Sequence, residues 1–139
     1  MSRNAVQARL HIAATRETPE VNIDLEAGTM NVRGNSYPAN ADMFFSPIID
    51  WLVLRLREKE SLERIAIDIN FNYLNTSSAK FLFRLLKPFD DIFAPGKDFS
   101  IRWSYVQGDI DMKDLGEDFQ SNLKMPVSFH PTAPPEPGS

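Results

Sequence analysis

Apolar and polar residues alternate along several stretches of this chain, the pattern of a strand with one buried face. Leu10 and Ile12 mark a first short strand. Val21, Ile23 and Leu25 alternate with Asn22, Asp24 and Glu26, and Met30 and Val32 continue the alternation after Ala27-Gly28. Glycine reaches the positive φ of a tight turn, so these two runs form a predicted hairpin. The clearest strand carries Ile65, Ile67, Ile69, Phe71 and Tyr73 on one side and Ala66, Asp68 and Asn70 on the other. Phe99, Ile101, Trp103 and Tyr105 oppose Ser100, Arg102 and Ser104 in a further strand, and a last one is predicted from Pro126 to His130. A strand buried on both faces reads as continuously apolar, so these describe a sheet covered on one side.

Between them lie stretches with helical spacing. Ser46 can cap a helix running to about Lys59, with Pro47 at its first position, where a missing N–H is harmless. Ile48, Ile49, Leu52, Leu54 and Leu56 supply its apolar stripe, and Asn40 to Phe45 reads as a preceding turn. A second helix is predicted from Ser77 towards Phe93, with Leu82, Leu85, Leu86, Phe89 and Phe93 on one stripe. Pro88 falls inside it and predicts a kink or an early end. A third helix is predicted between Asp111 and Leu123, with acidic residues early and Lys124 late, although Gly116 is a poor helix former. The order gives a two-layer α/β domain: a mixed sheet with amphipathic helices mainly on one face.

The 139 residues suit one domain, placed at 1–130 and followed by a disordered Pro-rich tail at 131–139, where four of nine residues are proline. A chain of this length buries roughly 70% of the surface its unfolded form exposes, so no metal or disulfide staple is required. The net charge of −4 argues against a nucleic-acid partner. The absence of cysteine excludes thiol catalysis and thiolate-bound zinc, and fits a reducing cytoplasm. No apolar run approaches the ~20 residues of a membrane helix, and no leader of signal-peptide type precedes the domain.

Asn75-Thr76-Ser77-Ser78 sits where a strand hands over to a helix. Such residues commonly cap helices through their side-chain oxygens, and on sequence physics alone capping is the favoured reading. The same position suits a phosphate, because a helix start offers unpaired N–H donors and the positive end of the dipole. Asp109, Asp111 and Glu117 belong to an acidic stretch that departs from a calcium loop, since Asp114 and Gln120 stand where Gly and Glu are needed. The stretch reads as a solvated helix or as a partner-binding face. An enzymatic or ligand-binding pocket built on it is the alternative from another class, and a plain dimerisation module is a third reading. Tyr37 in Ser36-Tyr37-Pro38 is a turn residue or an exposed binding anchor. His11 and His130 are far apart in sequence and read as surface residues. No metal, cofactor or catalytic residue is assigned, and no phosphate loop, nucleophile elbow or zincin motif is present.

Thr18-Pro19-Glu20-Val21, Ser36-Tyr37-Pro38-Ala39-Asn40, Phe44-Phe45-Ser46-Pro47 through Trp51-Leu52, Tyr73 to Lys80, Trp103-Ser104-Tyr105 and Asp109 to Asp118 together resemble the SiaC family of bacterial regulatory phosphoproteins. The resemblance spans about Leu10 to Phe129. Ala39 stands where the family commonly has Glu, and the Pro-rich tail lies outside the shared pattern. The resemblance implies a STAS-like fold, as in anti-sigma-factor antagonists, and a non-enzymatic cytoplasmic partner switch. A cognate Ser/Thr kinase would phosphorylate Thr76, with Ser77 and Ser78 as fallback acceptors, and a PP2C-type phosphatase would reverse it. The unmodified form would bind and activate an effector, a diguanylate cyclase, raising cyclic di-GMP and influencing biofilm formation. Contact would use Asn75, Thr76, Ser77 and Tyr37, with Asp109, Asp111 and Glu117.

Overall fold

The computed structural model describes residues 8–58 and 62–134. Its elements run β1 (Arg9–Ile12), β2 (Glu20–Asp24), β3 (Thr29–Ser36), α1 (Ala41–Glu58), β4 (Arg64–Leu74), α2 (Thr76–Ile92), β5 (Asp98–Val106), α3 (Ile110–Asn122) and β6 (Val127–Thr132). The six strands form one mixed sheet in sequence order. β1, β2 and β3 pair antiparallel, whereas β3, β4, β5 and β6 pair parallel, each parallel step being made through a helix. The α/β reading of the sequence holds, including one-sided cover.

The turn between β2 and β3 closes because the Asp24 carboxylate accepts the amides of Glu26 and Ala27 and Gly28 takes φ +75°. A side chain at Gly28 would also meet the Arg64 carbonyl at 2.9 Å. The inward residues of β2 to β5, among them Val21, Ile23, Met30, Val32, Ile65, Ile67, Ile69, Phe71, Phe99, Ile101 and Trp103, form one core with Ile48 and Leu52 of α1, Leu82, Leu85, Leu86 and Phe89 of α2, and Met112 and Phe119 of α3. The other face of the sheet is open and polar. There Glu20 accepts from Arg33 at 2.8 Å and pairs with His11 at 3.0 Å, and these two neighbours hold its carboxyl below the usual carboxylate range. His130 sits on the far edge strand, hydrogen-bonded to Ser128 at 2.9 Å, so the two histidines do not converge.

Four details differ from the sequence reading. Helix α1 begins at Ala41, capped by Asn40, whose side chain accepts the Met43 amide; Ser46 lies one turn inside and donates to Asp42. Pro47 is therefore interior, on the exposed side, and the carbonyl it leaves without a donor belongs to exposed Met43, where water can take it. Helix α2 continues through Pro88 to Ile92, with exposed Arg84 four residues back. Pro131 and Thr132, read as tail, complete β6 opposite Tyr105 and Val106, and the Thr132 carbonyl accepts from Gln107. Proline is tolerated there because β6 is an edge strand. Residues 135–139 of the expected tail lie outside the described residues, as does Lys59, the expected end of α1.

Two residues fasten α3 and its exit. Gly116 lets the helix approach β5 so closely that a Cβ there would come within 2.7 Å of the Trp103 indole and of Phe129. The indole N–H in turn donates to the Met112 carbonyl at 3.0 Å. Asp90 of α2 is fully buried, and its carboxylate accepts the amides of Lys124 and Met125 at 2.8 and 2.9 Å, tying the α3–β6 connection to α2.

Gly116→Ala is expected to destabilise the domain by about 1–3 kcal/mol through overpacking, against the roughly 1 kcal/mol that alanine would gain in an open helix. Urea unfolding that shows an unchanged or raised midpoint would contradict this packing. Asp90→Ala leaves the buried Met125 amide and the part-buried Lys124 amide without acceptors and is expected to cost roughly 2–3 kcal/mol in the same assay.

Candidate functional site: the α2–α3 groove

The site begins with a bulge. The β3–β4 register shifts between Gly34 and Asn35, with Gly34 at φ +116°, so that Ser36 pairs with Leu74 and turns inward. Ser36 is fully buried, its hydroxyl donates to Ser78 at 2.7 Å, and its carbonyl accepts the Asn75 amide at 3.0 Å. The start of α2 is thus clamped to the end of β3. Asn75 has extended backbone and caps the helix, its side chain accepting the Ser78 amide at 2.8 Å. Capping, the bland role expected of this segment, belongs to Asn75.

That geometry separates the three hydroxyls. Thr76, at the first position of α2, and Ser77 are exposed. Ser78 is fully buried with its hydroxyl engaged by Ser36, so the fallback acceptor named at this position has no access to an incoming group.

Thr76 lines a groove of about 410 Å³ between α2 and α3. Its α2 wall presents Thr76, Lys80 and Arg84, one helical turn apart, together with Ala79 and Phe83. The α3 wall presents Leu115, Asp118, Phe119 and Asn122. Phe83 packs edge-on against Phe119 at 5.3 Å, and Phe119 against Trp103 at 5.1 Å, so an aromatic floor runs from the groove into the core. The Arg84 guanidinium lies 4.8 Å from the centre of the Phe81 ring.

A smaller depression of about 190 Å³ adjoins it, lined by Asn72, Tyr73, Leu74, Asp109, Asp111, Met112 and Leu115, so that Leu115 borders both. Tyr37 meets Tyr73 edge-on at 5.7 Å, which brings the Ser36-Tyr37-Pro38 loop to the same place. Tyr73, which lines this depression, and Ile110, between its Asp109 and Asp111, are 54% and 69% exposed. Tyr37, Asn75, Thr76, Ser77, Asp109 and Asp111 therefore gather at one edge of the sheet. Glu117 does not join them. It pairs with Lys113 at 3.2 Å one turn further along α3, holding that ammonium above its ordinary pKa.

In the acidic stretch Asp109 spends a carboxylate oxygen capping α3 at the Met112 amide, and no group of three or more potential metal ligands occurs among the described residues. The depression beside it is also smaller than the roughly 300–1,000 Å³ of ordinary small-molecule pockets. Lys80, Arg84, Phe83, Asp118, Phe119 and Asn122 were absent from the sequence-based site. The spacing Thr76, Lys80, Arg84 places three polar residues on one helical stripe, a signal available in the sequence; the α3 wall is a matter of tertiary packing.

Comparison with known proteins shows the family of the chain as a whole. The family model described as SiaC family regulatory phosphoprotein matches residues 12–132. The chain belongs to the SiaC family. It is 32% identical over 120 residues to an uncharacterized protein of Pseudomonas aeruginosa strain UCBPP-PA14, covering 86% of this chain and 94% of that one. It is similar to apo-SiaC of P. aeruginosa, with a TM-score of 0.75 and 31% identity over 88% of this chain and 98% of that one. It is also similar to a chain in the structure of the diguanylate cyclase SiaD in complex with its activator SiaC, with a TM-score of 0.76 and 31% identity over 88% of this chain and 99% of that one. As a SiaC-family member it is a regulatory phosphoprotein with a mixed six-stranded α/β fold.

Asn75→Ala removes the cap that orients this helix start and is expected to destabilise the domain by about 1 kcal/mol. A melting temperature equal to that of the parent would show that the Ser36–Ser78 contact and the Asn75 amide bond to the Ser36 carbonyl hold the junction without the cap.

Proposed function

We propose that the unphosphorylated chain binds and activates a diguanylate cyclase through the α2–α3 groove, and that phosphorylation of Thr76 weakens docking. The observation that carries this reading is the position of Thr76: an exposed hydroxyl at a helix start, forming part of the wall of an apolar groove. A phosphoryl group adds about −1.5 to −2 charges and three acceptor oxygens at neutral pH. In the groove it would have to be desolvated against Phe83, Leu115 and Phe119 if a partner docked there, which is strongly unfavourable. The fold need not change, because Asn75, Ser36 and Ser78 hold the junction without using the Thr76 hydroxyl.

In this reading a Ser/Thr kinase and a PP2C-type phosphatase supply the chemistry and the chain is not itself an enzyme. Ser77 is the remaining exposed fallback acceptor. Cyclic di-GMP output, and with it biofilm formation and aggregation, would follow the unmodified fraction. The cycle operates in the cytoplasm; no helix among the described residues is long and apolar enough to cross a membrane.

The test is a titration of a diguanylate cyclase from the same organism with the chain in two forms, unmodified and phosphorylated at Thr76. Unmodified chain and Thr76→Ala should both bind and raise cyclic di-GMP synthesis. The phosphorylated form should bind at least about tenfold more weakly, equivalent to roughly 1.4 kcal/mol. Equal affinity of the two forms, or failure of the unmodified chain to stimulate, would overturn the proposal.

A further inference from the structure

Lys80 follows Thr76 by one helical turn and lines the same groove. Residues spaced i and i+4 lie one above the other on a helix face. Lys80 is exposed, and among the described residues it has no ion-pair or hydrogen-bond partner. The other basic groups of α2 are occupied: the Lys87 ammonium lies 3.2 Å from Asp91, and Arg84 rests on the Phe81 ring. Asp118 and Asn122 on the opposite wall add no cation. A phosphoryl group on Thr76 would therefore have one uncommitted cation of its own chain within a turn.

We propose that Lys80 is the receptor for the phosphoryl group of Thr76, forming an intramolecular phosphate–ammonium pair along the α2 wall. Lysine's four-carbon stem carries a compact charge with three rotatable donors, suited to a phosphate that arrives after folding. The Arg84 guanidinium, two turns from Thr76, is too distant along the helix axis to be the first partner, at roughly 1.5 Å of rise per residue. The pair has two consequences. It fixes the phosphate against the groove wall instead of leaving it in solvent. It also withdraws from the groove the free cation that the unmodified chain offers to an acidic group of a docking partner. The switch then reverses the charge of the wall at a single turn of helix: cationic when Thr76 is free, anionic when it is phosphorylated.

This inference rests on Thr76 as the acceptor, and its test stands apart from the docking reading. Phosphothreonine is installed at position 76 by genetic-code expansion, so neither a host kinase nor a cyclase is needed. The second ionisation of the phosphate, near pH 6 for a free phosphoester, is followed by phosphorus-31 NMR. The measurement is made in the parent chain and in Lys80→Gln, Lys80→Arg, Arg84→Gln and Lys113→Gln backgrounds. A cation beside the phosphate stabilises the dianion and lowers this pKa. Lys80→Gln is expected to raise it by about half a unit or more. Lys80→Arg should keep it near the parent value, and Arg84→Gln and Lys113→Gln should leave it there. Superimposable titrations of the parent and Lys80→Gln would overturn the inference. So would equal rises in Lys80→Gln and Lys80→Arg, or a rise confined to Arg84→Gln.

Discussion

The parallel run of β3, β4, β5 and β6 is the constraint on which the rest of this molecule depends. Each strand points the same way, so each connecting helix must start at the same edge of the sheet. Parallel strands joined by helical crossovers of one hand also put every helix on one face. The consequence is that three loops far apart in the chain, after β3, β4 and β5, open side by side. Asn40, Asn75 and Asp109 cap the three helices there with the same chemistry, a side-chain oxygen accepting an amide of the first turn. Open α/β sheets place binding surfaces at this edge for the same reason. Tyr37, Thr76 and Asp111 are neighbours because of strand direction, not because of any sequence proximity.

Cover on one face only leaves two surfaces with different characters. The open sheet face is a mosaic of polar groups, such as His11, Glu20 and Arg33, which satisfy one another. The groove between α2 and α3 has an aromatic floor, and its α2 wall carries Lys80, which has no ion-pair or hydrogen-bond partner among the described residues. Buried Asp90 and close-packed Gly116 hold the second wall in position. The second surface has the character of a recognition surface: apolar area drives association, and a charge at its margin makes it sensitive to modification.

Much of this could be read from the residues. Period-two alternation located all six strands, and the stripe of Leu82, Leu85, Leu86 and Phe89 located α2, because burial of one face imposes those periods directly. Proline misled in three places. At Pro47 and Pro88 the helix continues, since an exposed carbonyl lost to water is cheaper than breaking a helix whose stripe is buried in the core. At Pro131 the edge of the sheet has no ladder bond to lose. The hydroxyls were harder: Ser77 and Ser78 are adjacent and chemically identical, yet a bulge at Gly34, 44 residues before Ser78, turns Ser36 towards one and leaves the other exposed. Asp90 could have been suspected, as a carboxylate four residues after Leu86 on the apolar stripe, but its two amide partners lie beyond α3. The groove was invisible for the same reason: half of it belongs to another helix.

The most direct measurement is the footprint of a cyclase partner on the unmodified chain, by amide hydrogen exchange with and without the cyclase. Docking in the groove should add protection at the start of α2, from Thr76 to Arg84, and along α3, from Asp109 to Asn122, with the outward residues of β1, β2 and β3 unchanged. Protection confined to the open sheet face, with α2 and α3 unaltered, would contradict it.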